Sequence, residues 1–439
     1  IGQSALGPTH HYTPLPVFVW KEPQDAPLKR TTLYETHKAA GARIIPFAGW
    51  EMPVWYTSVI KEHQACRKAA GLFDATHMGV FEVSGPDARR FLDLVQPNDM
   101  STIQVGQSLY SYFLDVDGNC IDDTMIYQRG PDRYMVVVNA SNNNKDWAWL
   151  NAIVENRVTI DRERPWIRWH GNVTLRDLRD RKWGNECRAD IPLQGPKSRD
   201  ILLTMADTKE FAAQIKRLKR AELCEGKLAG HDVLVSRTGY TGEPISFEIF
   251  VHPDRAPDLW NKIMAAGAPL GLKPVGLGAR DSLRTEAGLP LYGHELAGPL
   301  NLTPDDAGFG AFAKLYKPFF IGRSAFIKHK LEMKGQVVRF RVNEKNVRMP
   351  KQLDLVADKR NKVVGKVLSC AIDTEGFFTG QAFVESKYAE EGTPLWVAGV
   401  PERESEDKPR SQMTFGDRVT GLEAITIVSR MPKHKKISG

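Results

Sequence analysis

Hydrophobic and polar positions change period several times along this chain, and each change predicts an element. Residues 84–95, SGPDARRFLDLV, place Ala88, Phe91, Leu92 and Val95 at i, i+3, i+4 and i+7, the spacing of one buried helical face, and Pro86 suits the first turn. Residues 58–72, SVIKEHQACRKAAGL, predict another helix with Gly71 as its stop, and GLFDATHMGVFEVSG between the two reads as strand. Two β-like runs, SLYSYFLDV and CIDDTMIY, flank Asp117-Gly118, a hairpin turn whose residues need positive φ. The β-branched run RYMVVV then passes through an asparagine-rich cap, NASNNN, into a further helix. Strand, helix, strand, strand, helix is the order of an α+β layer built on an antiparallel sheet. Farther on, HDVLVSRTGYTGEPISFEIFV gives two β runs around a glycine turn, and PVGLGARDSLRTEAGLPLYGHE a helix that Gly288 ends. Beyond about Lys334 the pattern is nearly all β with many turns, which predicts a small C-terminal barrel or sandwich.

Three stretches fall outside this periodicity. Residues 1–28, rich in proline and in small or aromatic side chains, read as an extended arm lying on the body. Residues 161–190 mix both charge signs with Trp166, Trp169 and Trp183, and are expected to be an exposed insertion or long hairpin. Basic residues among aromatics can grip single-stranded nucleic acid, but here the acids nearly cancel the bases, so no specific nucleic-acid partner is expected. Residues 401–412, PERESEDKPRSQ, read as an exposed excursion.

Composition narrows the picture further. At 439 residues the chain has room for two or three domains. The net charge of +7 is spread out, with runs only in IKRLKR (215–220) and PKHKK (432–436), which read as solvated basic faces and are compatible with an anionic ligand. Five cysteines stand far apart without a CxxC pair, indicating neither a disulfide framework nor a zinc site and fitting a reducing compartment. No apolar run approaches a membrane span. The first residues lack arginine and the order of a signal peptide. The expected location is the cytoplasm, or the mitochondrial matrix for a eukaryotic chain whose presequence has been removed.

Candidate chemistry rests on a few acids and arginines. No GxxxxGK[ST] is present, GLGARD lacks the third glycine of a dinucleotide fingerprint, and there is no HExxH. His63 and Cys66 lie three apart without a third ligand, so no metal site is expected. Asp122 and Asp123 follow the hairpin turn: alternation groups Asp123 with Ile121, Met125 and Tyr127, and Asp122 with Thr124 and Ile126. An unpaired carboxylate on that bulky face would cost roughly several kcal/mol unless a donor or cation meets it. The plain alternative is an aspartate capping its own hairpin. A calcium loop is excluded, since in DVDGNCIDD the glycine comes one oxygen position early and no glutamate closes the loop. Arg280 and Arg284, at i and i+4, present two guanidinium forks on one helical face, suited to a carboxylate or to ordinary salt bridges with Asp281 or Glu286. Glu248, between Phe247 and Ile249, shares a face with Ser246 and Phe250. There it can accept parallel N–H bonds from a planar amino-heterocycle, or simply be an edge-strand surface acid.

Taken in order, PFAGWEMPVWY, GLFDATHMG, LYSYFLDVDGNCIDDTMIY, VVNASNNNKDW, SRTGYTGE, FEI, GLGARDSLRTEAGLPLYG and FIGRSAF resemble the aminomethyltransferase, or T-protein, family of the glycine cleavage system, from about Leu33 into the C-terminal β region. The resemblance implies an α+β fold, a three-domain cloverleaf around a central folate cavity, with antiparallel sheets, helices and a C-terminal β-barrel or jelly-roll-like domain. The implied division is an arm at 1–28, a discontinuous folate-binding body at 29–79 and 157–333, an inserted α+β domain at 80–156 and a C-terminal β domain at 334–439. Tetrahydrofolate is the implied co-substrate and a lipoylated carrier protein the implied partner. The aminomethyl carbon would pass from carrier to folate, with ammonia released and 5,10-methylenetetrahydrofolate formed. The second of the paired aspartates, Asp123, matches the family's catalytic acid. Glu248 matches its pterin-binding glutamate, and Arg280 the arginine expected at the glutamyl tail. Met78, Tyr110, Met125, Tyr127, Asn139 and Tyr240 match other positions lining the pocket, where Met and Tyr would sandwich the pterin. In GEPISFE this chain is one residue longer than the family's GEDGFE and carries Pro244. Relatives on this fold include folate-dependent O-, S- and N-demethylases, the second reading. A non-catalytic folate-binding accessory protein is the third, ranked last because its KGCYxGQE segment has no counterpart here.

Overall fold

The computed structural model describes residues 13–23, 26–398 and 408–432. Of the N-terminal arm, residues 1–12 lie outside the described residues. The part that follows has no helix or strand before Lys29, and it lies on the body: Phe18 packs against a core, and the Pro16 carbonyl accepts the Thr159 N–H at 2.8 Å. The charged stretch 401–407 and the basic residues 433–436 also lie outside the described residues.

Two large sheets frame the molecule. The first is antiparallel, in the order Gln107–Leu114, Cys120–Gly130, Arg133–Val138, Gly79–Ser84, Thr174–Asp177. Helices Ala88–Val95 and Asn143–Val154 pack on it, and Phe81, Phe91, Leu92, Val136, Trp149 and Ile153 are buried between. Each such side chain contributes about 1.5–3 kcal/mol by leaving water. The predicted i, i+3, i+4, i+7 face is the buried face of Ala88–Val95. The second sheet runs Leu223–Leu228, His231–Ser236, Ser246–Val251, Ala189–Gln194, Ala70–Phe73, Leu272–Val275, with only the last pair parallel. Ile201, Leu202, Phe211, Leu259, Trp260 and Ile263, from three helices, share its core. The strands beyond residue 334 close into a six-stranded barrel, as their β pattern predicted.

Three local readings are corrected. The helix expected over 58–72 spans Val59–Lys68, capped by Ser58 Oγ, and ends before Gly71, which lies inside the strand Ala70–Phe73. A Cβ on Gly71 would meet Val275 Cγ2 at 2.6 Å, so this glycine serves close strand packing and not helix termination. Residues 161–190 are exposed only in part, with Trp166 60% exposed. Trp169 is 6% exposed and packs edge-on against Phe91 at 5.1 Å, while Ala189 and Asp190 begin a wholly buried strand of the second sheet. The segment was misread because the partner of its Arg176 is the buried Glu82 of a strand 94 residues earlier. Its strand Thr174–Asp177 pairs with Gly79–Ser84, beyond the limit of 156 expected for the inserted domain, and we propose residue 177 as the end of that unit. Finally, Ile121 does not share a face with Asp123. Phe113 pairs with Asp122 but Leu114 with Cys120, so Ile121 is the extra residue of a bulge and turns into the core beside Ile126.

The hairpin carrying the paired aspartates is tightly specified. Asp115 Oδ1 accepts the N–H groups of Asp117 and Asn119 at 2.8 and 2.9 Å, and Gly118 sits at φ +77°. A Cβ at Gly118 would lie 2.7 Å from the Phe326 backbone nitrogen. Gly118→Ala is therefore expected to lower the unfolding free energy by about 1–3 kcal/mol, read as a shift in the denaturant midpoint at unchanged slope.

Candidate active site

Between the two sheets lies a cavity of about 540 Å³. The first sheet supplies Tyr110, Asp123 and Met125, and Asn139 follows directly on the end of its strand Arg133–Val138. The second supplies Asp190, Gln194 and Glu248. Between them Met78, Tyr240 and Arg280 complete the wall, with Phe309 and Phe312 on a further loop. Strands carry the acids, so their side chains project from rigid backbone at fixed alternation.

Asp123 is held at both oxygens. Tyr110 Oη donates to Oδ2 at 2.8 Å and Asn139 Nδ2 to Oδ1 at 2.8 Å. Tyr110 is itself fixed edge-on by Tyr112 and Phe312, at 5.1 and 5.2 Å between centroids. Burial first, then the charge of Asp122, push the Asp123 carboxyl up to about 7, against the downward pull of the Tyr110 and Asn139 hydrogen bonds. An acid that changes charge near neutrality on a cavity wall can steady a developing cation or exchange a proton.

On the facing sheet, Glu248 Oε2 accepts from Tyr127 Oη at 2.6 Å and from the Thr238 hydroxyl. Oε1 is left for a ligand. Strand pairing sets Glu248 opposite Pro192, two residues from Asp190 on the same face. Asp190 is 2% exposed and its Oδ1 has no partner; burial, then the Glu248 charge, hold its carboxyl well above the usual carboxylate range. Arg280 lies over the Tyr240 ring at 4.8 Å, with no ion-pair partner among the described residues. Tyr240 Oη is anchored on the Pro290 carbonyl at 2.5 Å.

Of the residues singled out from sequence, Met78, Tyr110, Asp123, Met125, Asn139, Tyr240, Glu248 and Arg280 line this one cavity. Tyr127 does not. It is fully buried behind Glu248 and reaches the site only through its hydroxyl. Nor do the two helical arginines act together. Arg284 is 1% exposed and committed to Asp281, Glu295 and Ser369 Oγ at 2.8, 2.8 and 2.7 Å, pinning the helix Leu277–Glu286 to the barrel so that Arg280 is free to face the cavity. The extra residue of GEPISFE is absorbed in the turn: Glu243 pairs with Arg67 at 2.7 Å and the Pro244 carbonyl accepts from Arg237.

Sequence reasoning missed Asp190, which it set at the edge of a supposed insertion, and exposed Arg220 at the rim, which it read as part of a solvated basic run. The buried polarity of ADIPLQ was the available signal for the first. His63 is a structural residue bonded to Ser282, Thr374 and Glu286 at 2.8, 2.9 and 3.1 Å, and all five cysteines are free. Among the described residues no group of three or more His, Cys, Asp or Glu is placed to hold a metal ion, and no helix is long and apolar enough to cross a membrane.

The sheets, the barrel and the acid-lined cavity together define a transferase scaffold of one class, and comparison with known proteins agrees. The family model of the GCVT N-terminal domain matches residues 33–317. The aminomethyltransferase of Bacillus subtilis is 39% identical over 374 residues, 84% of this chain and 94% of that protein. That of Caldanaerobacter subterraneus is 40% identical over 380 residues, 84% and 91% of the two chains. The crystal structure of the glycine cleavage system aminomethyltransferase T from Bartonella henselae superposes with a TM-score of 0.72 at 28% identity, covering 92% of this chain and 97% of that one. The chain belongs to the aminomethyltransferase family of the glycine cleavage system and is an enzyme of that activity.

The raised proton affinity of the Asp123 carboxylate has a consequence for folding. The folded chain keeps this proton up to about pH 7, whereas an ordinary aspartate, and hence the unfolded chain, releases it near 3.8, so this group lowers stability as pH rises through that interval. Asp123→Asn lacks the titration. Its denaturation midpoint relative to wild type is expected to be higher at about pH 8 than at about pH 4, the reverse of what a salt-bridged aspartate would give.

Proposed function

We propose that the cavity binds tetrahydrofolate with its pterin between the two sheets, and that Asp123 is the catalytic acid of aminomethyl transfer from a lipoylated carrier protein. The observation that carries this reading is a doubly hydrogen-bonded Asp123 on one sheet, with Glu248 on the other and, beside them, Arg280 with no ion-pair partner among the described residues. A reduced pterin offers an amino-amide edge, for which Glu248 Oε1 is an acceptor, and flat faces, for which Met78, Met125 and Tyr110 give apolar contact. The glutamyl carboxylate of folate matches the guanidinium of Arg280, held over Tyr240. Exposed Arg220 at the rim adds a second positive charge on the same cavity.

In the reaction a carbon bonded to the carrier's sulfur and to an amino group becomes bonded to two folate nitrogens. The two N–H protons those nitrogens lose end on the departing ammonia and on the sulfur, so the exchange balances without an oxidant. The carbon is electron-poor while it changes partners. An ionised Asp123, fixed by Tyr110 and Asn139, stabilises that charge, and its acidity near 7 lets it take a proton from the attacking nitrogen.

Asp123→Asn is expected to bind tetrahydrofolate within about threefold of wild type while single-turnover transfer falls about 10²–10³-fold, the size of losing one fixed electrostatic group. Calorimetry and rapid-quench assay with an aminomethylated lipoyl carrier give the two numbers, and equal loss of both would mean a structural aspartate. For wild type, kcat/KM should rise with pH through a single ionisation near 7, and that limb should vanish in the variant.

A further inference from the structure

Behind Asp123 stands a second, solvent-free layer of acid that the proposed chemistry does not use. Asp122 is 0% exposed and accepts three N–H groups: Asn139 N at 2.9 Å on Oδ2, and Asn139 Nδ2 at 2.8 Å and Asn142 Nδ2 at 2.6 Å on Oδ1. Asn139 Nδ2 spends its other hydrogen on Asp123 Oδ1. One amide therefore bridges the two aspartates. Asp146, in the first turn of the helix Asn143–Val154 and also 0% exposed, belongs to the same layer: its N–H donates at 2.8 Å to the carbonyl of Asn142, the residue whose side chain holds Asp122. Neither carboxyl oxygen of Asp146 receives a hydrogen bond from any N–H or hydroxyl of the described residues. The cation beside it, Lys145, is committed elsewhere, to the Ile121 carbonyl at 2.7 Å and Tyr292 Oη at 2.9 Å.

Two ionised carboxylates in contact, away from water, repel strongly, and a single proton between them removes the conflict. Asp122 already acts as acceptor to three donors, which assigns that proton to Asp146. We propose that Asp146 is a positioning residue: a carboxylic acid kept as hydrogen-bond donor to Asp122, so that Asp122 holds Asn139 and Asn139 holds the catalytic Asp123 on the cavity wall. Burial, and then the Asp122 charge, raise the Asp146 carboxyl well above the ordinary range, in keeping with the assignment. The other titratable groups facing this layer are Cys120, Tyr110 and Tyr112 from the adjoining strands and Tyr292 from the loop, all buried acids shifted upward and therefore neutral, so none competes for the role of cation. From Asp122 to Asp123 the chain runs through two hydrogen bonds of the Asn139 amide, and the proposed Asp146 proton adds the link before them.

The test uses the full chain without ligand, labelled with ¹³C at the aspartate carboxyls, the Asp123 signal being identified by its loss in Asp123→Asn. Asp146→Ala, which removes the donor, is expected to move the Asp123 titration midpoint upward by about half a unit or more, and Asp146→Asn, whose amide can also donate to Asp122, to bring it back within about 0.3 of wild type. Infrared spectra at about pH 8 should show buried protonated-carboxyl absorption in wild type that loses one carboxyl's intensity in Asp146→Asn while the Asp190 contribution stays, a readout that holds even if the alanine variant does not fold. In the transfer assay Asp146→Ala should lose about tenfold in single turnover at unchanged folate affinity, with Asp146→Asn rescuing it. Protonated-carboxyl intensity unchanged between wild type and Asp146→Asn, a drop of a unit or more in the Asp123 midpoint in Asp146→Asn, or an alanine variant that titrates as wild type would each overturn the proposal. The turnover arm rests on the folate reading; the titration and infrared arms do not, so failure of one is told apart from failure of the other.

Discussion

Everything in the site follows from the cost of keeping a carboxyl group on an apolar, partly closed wall. Left alone, Asp123 would either draw in water or stay neutral, and it would have no fixed direction. The fold answers with donors on both oxygens, Tyr110 from one neighbouring strand and Asn139 from just past the end of the other, and it keeps a second carboxylate, Asp122, immediately behind. The donors make the carboxyl a stronger acid, and burial and the nearby negative charge make it a weaker one. The balance falls near neutrality, where a group can serve both as charge and as proton acceptor.

The larger architecture serves the same end. A cavity between two sheets lets strands from both sides present side chains at fixed height, so Asp123 and Glu248 face one space although 125 positions of sequence order, counted from their numbers, separate them. The barrel contributes at a distance. Ser369 on one of its strands and the Thr374 N–H, which meets Glu286 at 2.8 Å, clamp the helix Leu277–Glu286, and Arg284 is consumed in that clamp. Arg280, one turn earlier, is left without an ion pair, which is the state a carboxylate-binding arginine requires. Two arginines of identical spacing thus take opposite roles, one holding the fold together and one facing the cavity.

Much of this was legible in local pattern. The helical face of Ala88, Phe91, Leu92 and Val95, the Asp117-Gly118 turn, the stop at Gly288 and the β character after Lys334 each reflect a short-range rule: period, positive φ, or side-chain alternation. The placement of Asp123 away from Ile126 is likewise a matter of parity along one strand, and the family resemblance carried most of the remaining cavity residues by motif.

What local pattern does not contain is the partner across space. Gly71 stops no helix because Val275 crowds it from a strand about two hundred residues away, and residues 161–190 are anchored on the body because Arg176 meets Glu82 and Trp169 finds Phe91. The bulge at Ile121 comes from how two strands pair, and Tyr127 is hidden because Glu248 takes its hydroxyl. Asp190 and Asp146 are ordinary acids in the sequence and become buried, unpaired ones only through packing. The amino-acid order determined which segments are helix or strand and which side chains could do chemistry. The tertiary structure decided which of those side chains keep an open valence for a ligand, because desolvation and hydrogen-bond satisfaction are properties of a neighbourhood and not of a residue.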